Sequence, residues 1–506
     1  MAEMRAEMKK VIIDPITRLE GHGKIVIFLD EEGKVERAYL QIPELRGFEL
    51  FSRGRPAEEM PQITSRICGV CPWAHHMAST KALDDLYQVE PPPTAKKIRE
   101  LAYCAFMLED HAIHVFYLGG PDFFVGPKAP KAERNILGVI GKVGVELGRK
   151  VIQIRKDLRG LEARVGGRTI NPVMGLPGGV SKPLSPQDQE EFQALAARAV
   201  EFSLTTLKLF KELVVRNPEY LELIRSEAYT HKTYYMGLVD DQNRVNFYDG
   251  QIRVVDPEGR EFAKFKVQDY LEHIAEHVEP WSYTKFSFLR KVGWKGFIDG
   301  VDSGIFAVAP LGRLNAAEGM ATPKAQEAYE ELYDSLEGRP VHHTLATHWA
   351  RIVEMIYAAE RLQELAQDPE ITDPTIRVLP SAVPKEGIGV VEAPRGTLIH
   401  HYKTDERGII EEANLIVATQ NNSARIAMSV DKAAREVIRP RLRPGADGRE
   451  EEIEIEIDEG LLNMVEMAFR AYDPCHACAT HALPGEIPLS IEIYDYRKRL
   501  IRRLAR

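Results

Sequence analysis

The chain has 506 residues and a formal net charge of −10, with 44% hydrophobic and 28% charged residues. This composition is typical of a globular protein with a substantial core, and the acidic balance gives no indication of nucleic acid as a partner. No run approaches the roughly twenty apolar residues that span a bilayer. Because the start, Met1–Lys10, is polar and lacks an apolar signal core, we expect a cytoplasmic protein with no direct membrane span.

The first half of the chain predicts a small sheet followed by long helices. Apolar and polar residues alternate along Val11–Ile42, which indicates a small antiparallel sheet. A helix is predicted at Thr94–Leu118, with Thr94 as its N-cap after three prolines. Two more long helices are predicted at Ala132–Val165 and Ser185–Asn217.

The second half alternates between strands and helices. Tyr229–Gly312 is rich in aromatic residues and turns and indicates strands and loops, whereas Pro323–Gln367 predicts a helix pair. Val390–Ala418 indicates further strands, and Glu459–Tyr472 a last helix. With no repeat and no linker, the expected fold is α+β, one large unit with a central bundle of long helices and small antiparallel sheets at its periphery.

Four of the five cysteines occur as two short pairs near opposite ends of the chain, Cys68 with Cys71 and Cys475 with Cys478. Two thiolates at this spacing can bind one metal, and about four hundred residues separate the pairs, so a local zinc knuckle is excluded. Four thiolates suit zinc, nickel or an iron–sulfur cluster. From the pairs alone, a structural zinc or a dithiol redox switch are the alternatives. The fifth, Cys104, fits an apolar helix stripe and is predicted to be a core residue.

Further motifs accompany the cysteine pairs. The pairs stand in Arg66-Ile-Cys-Gly-Val-Cys71 and Asp473-Pro-Cys-His-Ala-Cys-Ala-Thr-His481. The other motifs, in chain order, are Arg18–Gly23, Arg46–Glu49, Glu109–His114, Pro177–Val180 and Glu392–Gly396. In this order and over the whole chain, they resemble the large, catalytic subunit of nickel–iron hydrogenases.

The resemblance implies a bimetallic site at the cysteines. Cys68 and Cys475 would be terminal nickel ligands, and Cys71 and Cys478 would bridge nickel to an iron that carries carbon monoxide and cyanide. The implied reaction is the reversible heterolytic cleavage of dihydrogen to protons and electrons.

The same resemblance assigns groups that handle the proton. Glu20 matches the family's proton-relay carboxylate and is expected within reach of the Cys475 sulfur. Arg395 matches the arginine over the open metal position, and Asp110 and Asp473 match the carboxylates that hold it. Whether Arg395 or Cys475 accepts the proton is open at this point, although a guanidinium is a poor base.

Other matched residues would contact the non-protein ligands. His75 is expected to hydrogen-bond a bridging sulfur. Thr419, with Pro394 and Arg395, aligns with groups that hydrogen-bond the cyanides.

A second ion is implied beside the centre. Glu49, His481 and the backbone carbonyl of Leu415 match the site of magnesium or a similar divalent ion. A carboxylate and a carbonyl oxygen suit a hard cation.

The last 25 residues extend beyond the final motif. We expect residues 1–481 to form the hydrogenase large-subunit domain and 482–506 to be a maturation extension that a protease removes after His481. The extension would hold the second cysteine pair open until the metals are loaded.

The resemblance also implies partners, because electrons must leave a buried site. We expect an iron–sulfur small subunit, which alone carries the iron–sulfur clusters, together with heterodisulfide-reductase-like electron-transfer subunits, a maturation protease and nickel chaperones. Cys71-Pro-Trp-Ala-His-His76 is most similar to cytoplasmic hydrogenases of heterodisulfide-reductase or electron-bifurcating complexes. NAD(P)- or deazaflavin-coupled relatives are the alternative. Two other interpretations are a nickel-free subunit of a quinone-linked respiratory complex, which the four retained cysteines disfavour, and a metal-stapled scaffold.

Overall fold

Long helices pack against one another at the centre of the fold. The computed structural model describes residues 10–13, 17–30, 32–438, 441–444, 451–454, 459–480, 490–494 and 500–505. Its helices are α1 Phe48–Phe51, α2 Met60–Thr64, α3 Pro72–Leu86, α4 Pro93–Ile113, α5 Pro121–Phe124, α6 Ile136–Val143, α7 Val145–Gly166, α8 Pro186–Phe210, α9 Pro218–Arg225, α10 Tyr270–His273, α11 Pro310–Ala316, α12 Pro323–Ser335, α13 Thr347–Gln367, α14 Ala418–Val437 and α15 Glu459–Arg470. Helix α13 packs against α8 and α4, and α4 packs against α7.

Small sheets surround these helices. The strands are β1 Lys10–Ile13, β2 Lys24–Leu29, β3 Val35–Gln41, β4 Gly175–Leu176, β5 Gly179–Val180, β6 Tyr234–Val239, β7 Arg244–Val245, β8 Gln251–Val255, β9 Glu261–Phe265, β10 Ile274–His277, β11 Phe286–Leu289, β12 Phe306–Ala307, β13 Gly319–Met320, β14 Glu386–Ala393, β15 Gly396–Thr404, β16 Ile410–Ile416, β17 Arg441–Pro444, β18 Glu451–Glu454, β19 Ser490–Tyr494 and β20 Leu500–Ala505. The antiparallel sheets β1-β2-β3 and β14-β15-β16 have three strands each. The six-stranded sheet around β6 is mixed, because β12 and β13 pair in parallel.

The predicted α+β architecture, with central long helices and small peripheral sheets, is confirmed. The predicted entry into α8 is also confirmed: Ser185 and Asp188 form a capping box before the helix. Most of the small sheets are antiparallel as expected. The parallel strand pairs of the β6 sheet were not predicted. Strands β12 and β13 have only two residues each, which is too short for a recognisable sequence pattern.

Several predicted helix limits are wrong for local reasons. Thr94 is not an N-cap, because α4 begins at Pro93 and the Thr94 hydroxyl donates to the Glu370 carbonyl at 3.1 Å. The helix predicted at Ala132–Val165 is two helices, because Gly144 adopts a φ of 92° between α6 and α7. Helix α14 was not predicted, and it begins at Ala418, where the last strand was expected to end.

Helix α4 continues as a π-helical turn, His114–Leu118. A π turn shifts the following side chains around the helix axis and is frequent at functional sites. Asp110 and His114 lie at this junction and are fully buried. Among the described helices, none is long and apolar enough to cross a membrane.

Candidate metal centre

The four paired cysteines converge on one point in the core. Their Sγ atoms all lie within 4.8 Å of one another, and all four residues are buried. The sulfurs of Cys68 and Cys475 are 3.3 Å apart, as are those of Cys71 and Cys478. The two halves of the centre, which are 407 positions apart in the chain, therefore meet directly.

Each pair is held by a short loop beside a helix. Cys68 follows the 3-10 turn Ser65–Ile67, and Cys71 is the residue before α3, whose first residue is Pro72. The backbone N–H groups of Val70 and Cys71 both donate to the Cys68 sulfur at 3.2 Å. These donors stabilise a thiolate at Cys68.

The second pair follows α15 in a loop fixed by α14. The backbone N–H of Cys475 donates to Oγ1 of Thr419 at 3.0 Å. Asp473 adopts a φ of 54°, a left-handed conformation uncommon for residues other than glycine, asparagine and aspartate. The loop thus turns sharply enough to aim both sulfurs inward.

The donor set fits a soft or borderline metal. Thiolates select such metals, and metal–sulfur bonds of about 2.3 Å require ligand sulfurs to lie within a few ångströms of one another, as they do here. Burial opposes ionisation of the Cys68 thiol, but hydrogen bonds from the other three thiols outweigh it and lower its pKa well below the usual range. Burial raises the pKa of the Cys475 thiol, so a metal must supply the charge that stabilises a second thiolate.

Glu20 lies against the centre. Its Oε2 is 2.8 Å from the Cys475 sulfur and accepts the backbone N–H of Ala477 at 3.3 Å. Gly21 permits this approach: it has a φ of 86°, and a Cβ there would lie 2.9 Å from the Ala477 nitrogen. Burial and the nearby Cys68 sulfur raise the pKa of Glu20 to about 7. The carboxyl group can therefore gain or lose a proton near neutral pH.

Arg395 is buried between two carboxylates. Its Nη1 donates to Oδ2 of Asp110 at 3.1 Å, its Nη2 lies 2.9 Å from Oδ2 of Asp473, and its Nε donates to the Asp473 carbonyl at 2.7 Å. Burial opposes the positive charge, but the two carboxylates and the sulfurs of Cys71 and Cys475 outweigh it and raise the pKa of Arg395 well above its usual range. The guanidinium stays protonated.

The two carboxyl groups that contact Arg395 have pKa values shifted in opposite directions. Burial and the charge of Asp473 raise the pKa of Asp110 despite Arg395. Burial also opposes ionisation of Asp473, but Arg395 and His114 lower its pKa. The Nδ1 atom of His114 is 3.1 Å from Asp473, and its Nε2 is 3.1 Å from the ring of His348. Asp473 is thus the ionised partner.

Other predicted residues line the same region. Nδ1 of His75 lies 3.1 Å from Nε2 of His400, whose Nδ1 is 2.6 Å from the Tyr402 hydroxyl. The backbone carbonyl of Pro394 accepts Nη2 of Arg313 at 3.3 Å. The predicted contact of His75 with a bridging sulfur stays a prediction.

The structure brings Glu49 and Leu415 together. Oε1 of Glu49 accepts the backbone N–H of Leu415 at 2.8 Å, whereas the predicted ion ligand is the carbonyl of the same residue. Burial raises the pKa of Glu49. His481, the third predicted ligand, lies outside the described residues.

A buried network of charged residues near the site was not predicted from the sequence. Nη1 of Arg313 donates to Glu392 at 2.9 Å, and its Nε donates to Glu354 at 2.7 Å. Glu354 also lies 2.9 Å from the His111 ring. Only Glu392 and His111 belong to recognised motifs, because Arg313 and Glu354 stand in otherwise ordinary helices.

Comparison with known proteins identifies the family to which the chain is similar. A model described as nickel-dependent hydrogenase matches residues 46–137 and 223–481, and one described as HoxL-like matches residues 10–45. An F420-non-reducing hydrogenase iron-sulfur subunit of Archaeoglobus profundus is 50% identical over 98% of this chain and 99% of its own. The NAD-reducing hydrogenase HoxS subunit beta of Cupriavidus necator is 38% identical over 98% of this chain and 100% of its own.

Two solved structures that resemble the chain are also hydrogenases. An NAD+-reducing NiFe-hydrogenase in the H2-reduced state superposes with a TM-score of 0.84 at 35% identity, covering 94% of this chain and 99% of that one. The Ni-Fe-Se hydrogenase from D. vulgaris Hildenborough has a TM-score of 0.69 at 23% identity, over 94% and 100% of the chains, which is a likeness of fold. Together with the converging thiols, these matches show that the chain belongs to the nickel-dependent hydrogenase family, as the large, catalytic subunit of a nickel–iron hydrogenase.

Proposed function

We propose that the chain cleaves dihydrogen reversibly, with the proton leaving through Cys475 and Glu20 and the electrons passing to an iron–sulfur small subunit. The observation that carries this proposal is the contact of 2.8 Å between a carboxyl oxygen of Glu20 and a sulfur of the four-thiol cluster. A carboxyl group with a pKa of about 7 is suited to exchange protons with a thiol at neutral pH.

The four thiolates would hold nickel and iron, with Cys68 and Cys475 on nickel and Cys71 and Cys478 shared by both metals. Carbon monoxide and cyanide would complete the iron coordination. When bound, this centre supplies the redox chemistry that splits dihydrogen. The chain's own part is to present four sulfurs, exclude water and remove the proton.

Arg395 is proposed to orient dihydrogen electrostatically rather than to act as a base, since Asp110 and Asp473 keep it protonated. The hydroxyl of Thr419 and the backbone around Pro394 are proposed to hydrogen-bond the cyanides. The Thr419 hydroxyl oxygen already accepts the Cys475 N–H, so its own hydrogen is available for donation.

We propose a divalent ion, such as magnesium, bound by Glu49, the Leu415 carbonyl and His481. Partial burial raises the pKa of Glu49, and a divalent ion beside it would stabilise the charged carboxylate. Residues 482–506 are proposed to be removed after His481 by a maturation protease once nickel chaperones have loaded the site.

The small subunit is proposed to dock beside the first cysteine pair. A groove of about 450 Å³ there has Phe48, Phe51 and Ile63 among its lining residues, together with Arg46, Arg55 and Arg66. Phe51 is 55% exposed although it is apolar. Arg66 is two residues from Cys68, so a partner seated here is close to the metals and can receive electrons.

The terminal acceptor is proposed to lie in a heterodisulfide-reductase-like or electron-bifurcating complex in the cytoplasm. The relative at 50% identity is named as F420-non-reducing, which supports an acceptor other than F420. An NAD(P)-coupled complex is the second candidate, supported by the NAD-reducing relative at 38% identity. Both relatives are named as subunits, which implies a small-subunit partner for this chain.

The experiment is an assay of dihydrogen oxidation by the anaerobically purified complex. We expect dye reduction by dihydrogen that is lost in Cys475→Ser and retained in Cys104→Ser, whose sulfur is buried outside the cluster. Phe51→Asp should release the small subunit, whereas Val145→Asp, at a residue 58% exposed elsewhere, should not. Activity in Cys475→Ser would refute the proposal.

A further inference from the structure

Behind the Glu20–Cys475 contact, one carboxylate joins two arginines. Oδ1 of Asp122 accepts Nη2 of Arg18 at 2.5 Å, and Oδ2 accepts Nη1 of Arg470 at 2.6 Å. The side chains of Asp122 and Arg470 are each 1% exposed and that of Arg18 is 13% exposed. Asn463 donates to the same Oδ1 of Asp122 at 3.1 Å, so both oxygens are in use.

Arg18 lies in the segment that carries Glu20, and Arg470 lies in the segment that carries Cys475. Arg18 is two residues before Glu20 and adopts a φ of 59°, a conformation that needs support from its surroundings. Its Nη1 also donates to the Leu118 carbonyl at 2.9 Å, at the end of the helix that carries Asp110. Arg470 ends α15, five residues before Cys475.

The two segments are also joined beyond the cluster. Nη2 of Arg470 donates to the Thr17 carbonyl at 3.4 Å, and the backbone N–H of His476 donates to the Glu20 carbonyl at 3.0 Å. Two sets of contacts therefore hold the Glu20 and Cys475 segments together: hydrogen bonds to backbone groups, and the ion cluster around Asp122.

Two carboxylates balance the two arginines: Asp122 contacts both, whereas Glu466 pairs with Arg470 alone, so without Asp122 one negative charge would face two positive ones. Burial opposes ionisation of Asp122, but Arg470 and Arg18 outweigh it and lower its pKa, so the carboxylate is charged. Burial and the charge of Arg470 both lower the pKa of Arg18, which Asp122 and, more weakly, Glu466 counteract. Removing one partner from a buried ion cluster leaves uncompensated charge and is strongly destabilising, which favours separation of the two arginines.

We propose that Asp122 is a positioning residue for proton transfer at Cys475. It holds the Arg18 and Arg470 segments together so that the Glu20 carboxyl stays within hydrogen-bond distance of the Cys475 sulfur. Asp122 itself exchanges no proton in this step. The inference rests on the proposed function, in which Glu20 receives the proton from Cys475.

The test is the Asp122→Asn variant in the nickel-loaded complex. Asparagine keeps the size of the side chain but removes its charge. We expect exchange between deuterium gas and water protons to slow by about 10- to 100-fold, because a displacement of about 1 Å can cost that much, with unchanged nickel content. A crystal structure should show Glu20 Oε2 beyond hydrogen-bond distance of the Cys475 sulfur, a readout that does not depend on activity.

The matched control is Asp84→Asn. Asp84 binds the buried Arg99 and accepts the Gly178 backbone N–H at 2.8 Å, and neither contact involves Glu20 or Cys475. The substitution should lower thermal stability without changing exchange or the Glu20 position. If Asp122→Asn fails to fold, Arg18→Gln leaves the Asp122–Arg470 pair and should show the same slow exchange and displaced carboxyl.

Glu20→Gln separates the two hypotheses. Wild-type exchange in Glu20→Gln would overturn the proposed proton route itself. Slow exchange in Glu20→Gln with wild-type exchange and an unmoved Glu20 in Asp122→Asn or Arg18→Gln would overturn only the positioning role. Equal slowing in Asp84→Asn would also overturn it, because the effect would then be general destabilisation.

Discussion

Glu20 and Cys475 are 455 positions apart in the chain, yet Oε2 of Glu20 lies 2.8 Å from Sγ of Cys475. A parallel β-bridge joins the two residues, so the contact is set by backbone pairing as well as by side-chain charge. The N-terminal segment and the C-terminal cysteine loop therefore form one unit at the metal centre.

Glu20→Gln should reduce dihydrogen turnover by about 10²- to 10⁴-fold, because glutamine keeps the shape of the side chain but cannot exchange a proton. The nickel and iron contents should be unchanged. The measurement is dihydrogen oxidation together with metal analysis. Glu32→Gln, at an exposed surface glutamate, is the control and should be fully active. Wild-type turnover in Glu20→Gln would rule out this proton route.

Arg395→Lys should lower kcat by about 10- to 100-fold with both metals retained. An ammonium keeps the positive charge but cannot contact Asp110, the Asp473 carboxylate and the Asp473 carbonyl with a rigid fork. Steady-state kinetics of the purified complex measure the effect. Arg407→Lys, at a side chain 80% exposed, should have no effect. If Arg395→Lys behaves like that control, orientation by the guanidinium is unnecessary.

Glu49→Gln should reduce the content of divalent ion per chain by more than half and leave nickel in place. The amide is neutral and a weaker ligand for a hard cation. Inductively coupled plasma mass spectrometry of the purified complex gives both numbers. Glu58→Gln, close in sequence, is a suitable control. An unchanged magnesium content in Glu49→Gln would place the ion elsewhere.

Stability of the metal-free chain should fall as the pH drops from about 6.5 to 4, in part through His76. Its Nε2 accepts the Gly175 N–H at 2.9 Å, and burial lowers its pKa from 6.5 to about 4. The unfolded chain therefore binds the proton first, and acid favours unfolding by about 3 kcal/mol at most from this residue.

The check is urea unfolding at several pH values for wild type and His76→Gln. The variant should be less stable at pH 7.5, and the difference between the two proteins should shrink toward pH 4. A difference that is constant with pH would show that His76 does not carry this dependence.

The residues that contact the metal centre were easier to predict from the sequence than the residues that support them. The thiol pairs and the motifs around Glu20 and Arg395 can be recognised from residue type and spacing. The structure places the four cysteines, Glu20 and Arg395 close together. Asp122 and Arg470 gave no such signal, because a single aspartate after a Gly-Gly-Pro turn and an arginine at a helix end are ordinary surface residues in sequence. Only tertiary contacts show that they are buried and paired.

Helix limits depended on local exceptions that periodicity does not detect. The break at Gly144 and the start of α4 at Pro93 are backbone effects of single residues. Helix α14 was missed because Gln420, Asn421 and Asn422 include weak helix formers. Their side chains are buried and hydrogen-bonded instead, for example from Asn422 to the Arg395 carbonyl at 2.8 Å. Tertiary contacts outweigh propensity there.

The most direct test of the central claim is metal analysis combined with infrared spectroscopy of the matured complex. One nickel and one iron per large subunit, with infrared bands of bound carbon monoxide and cyanide, are expected in wild type and in Cys104→Ser, and both should be lost in Cys68→Ser. Stoichiometric zinc in a complex that oxidises dihydrogen, without nickel and without these bands, would contradict the assignment of the four sulfurs to a nickel–iron centre.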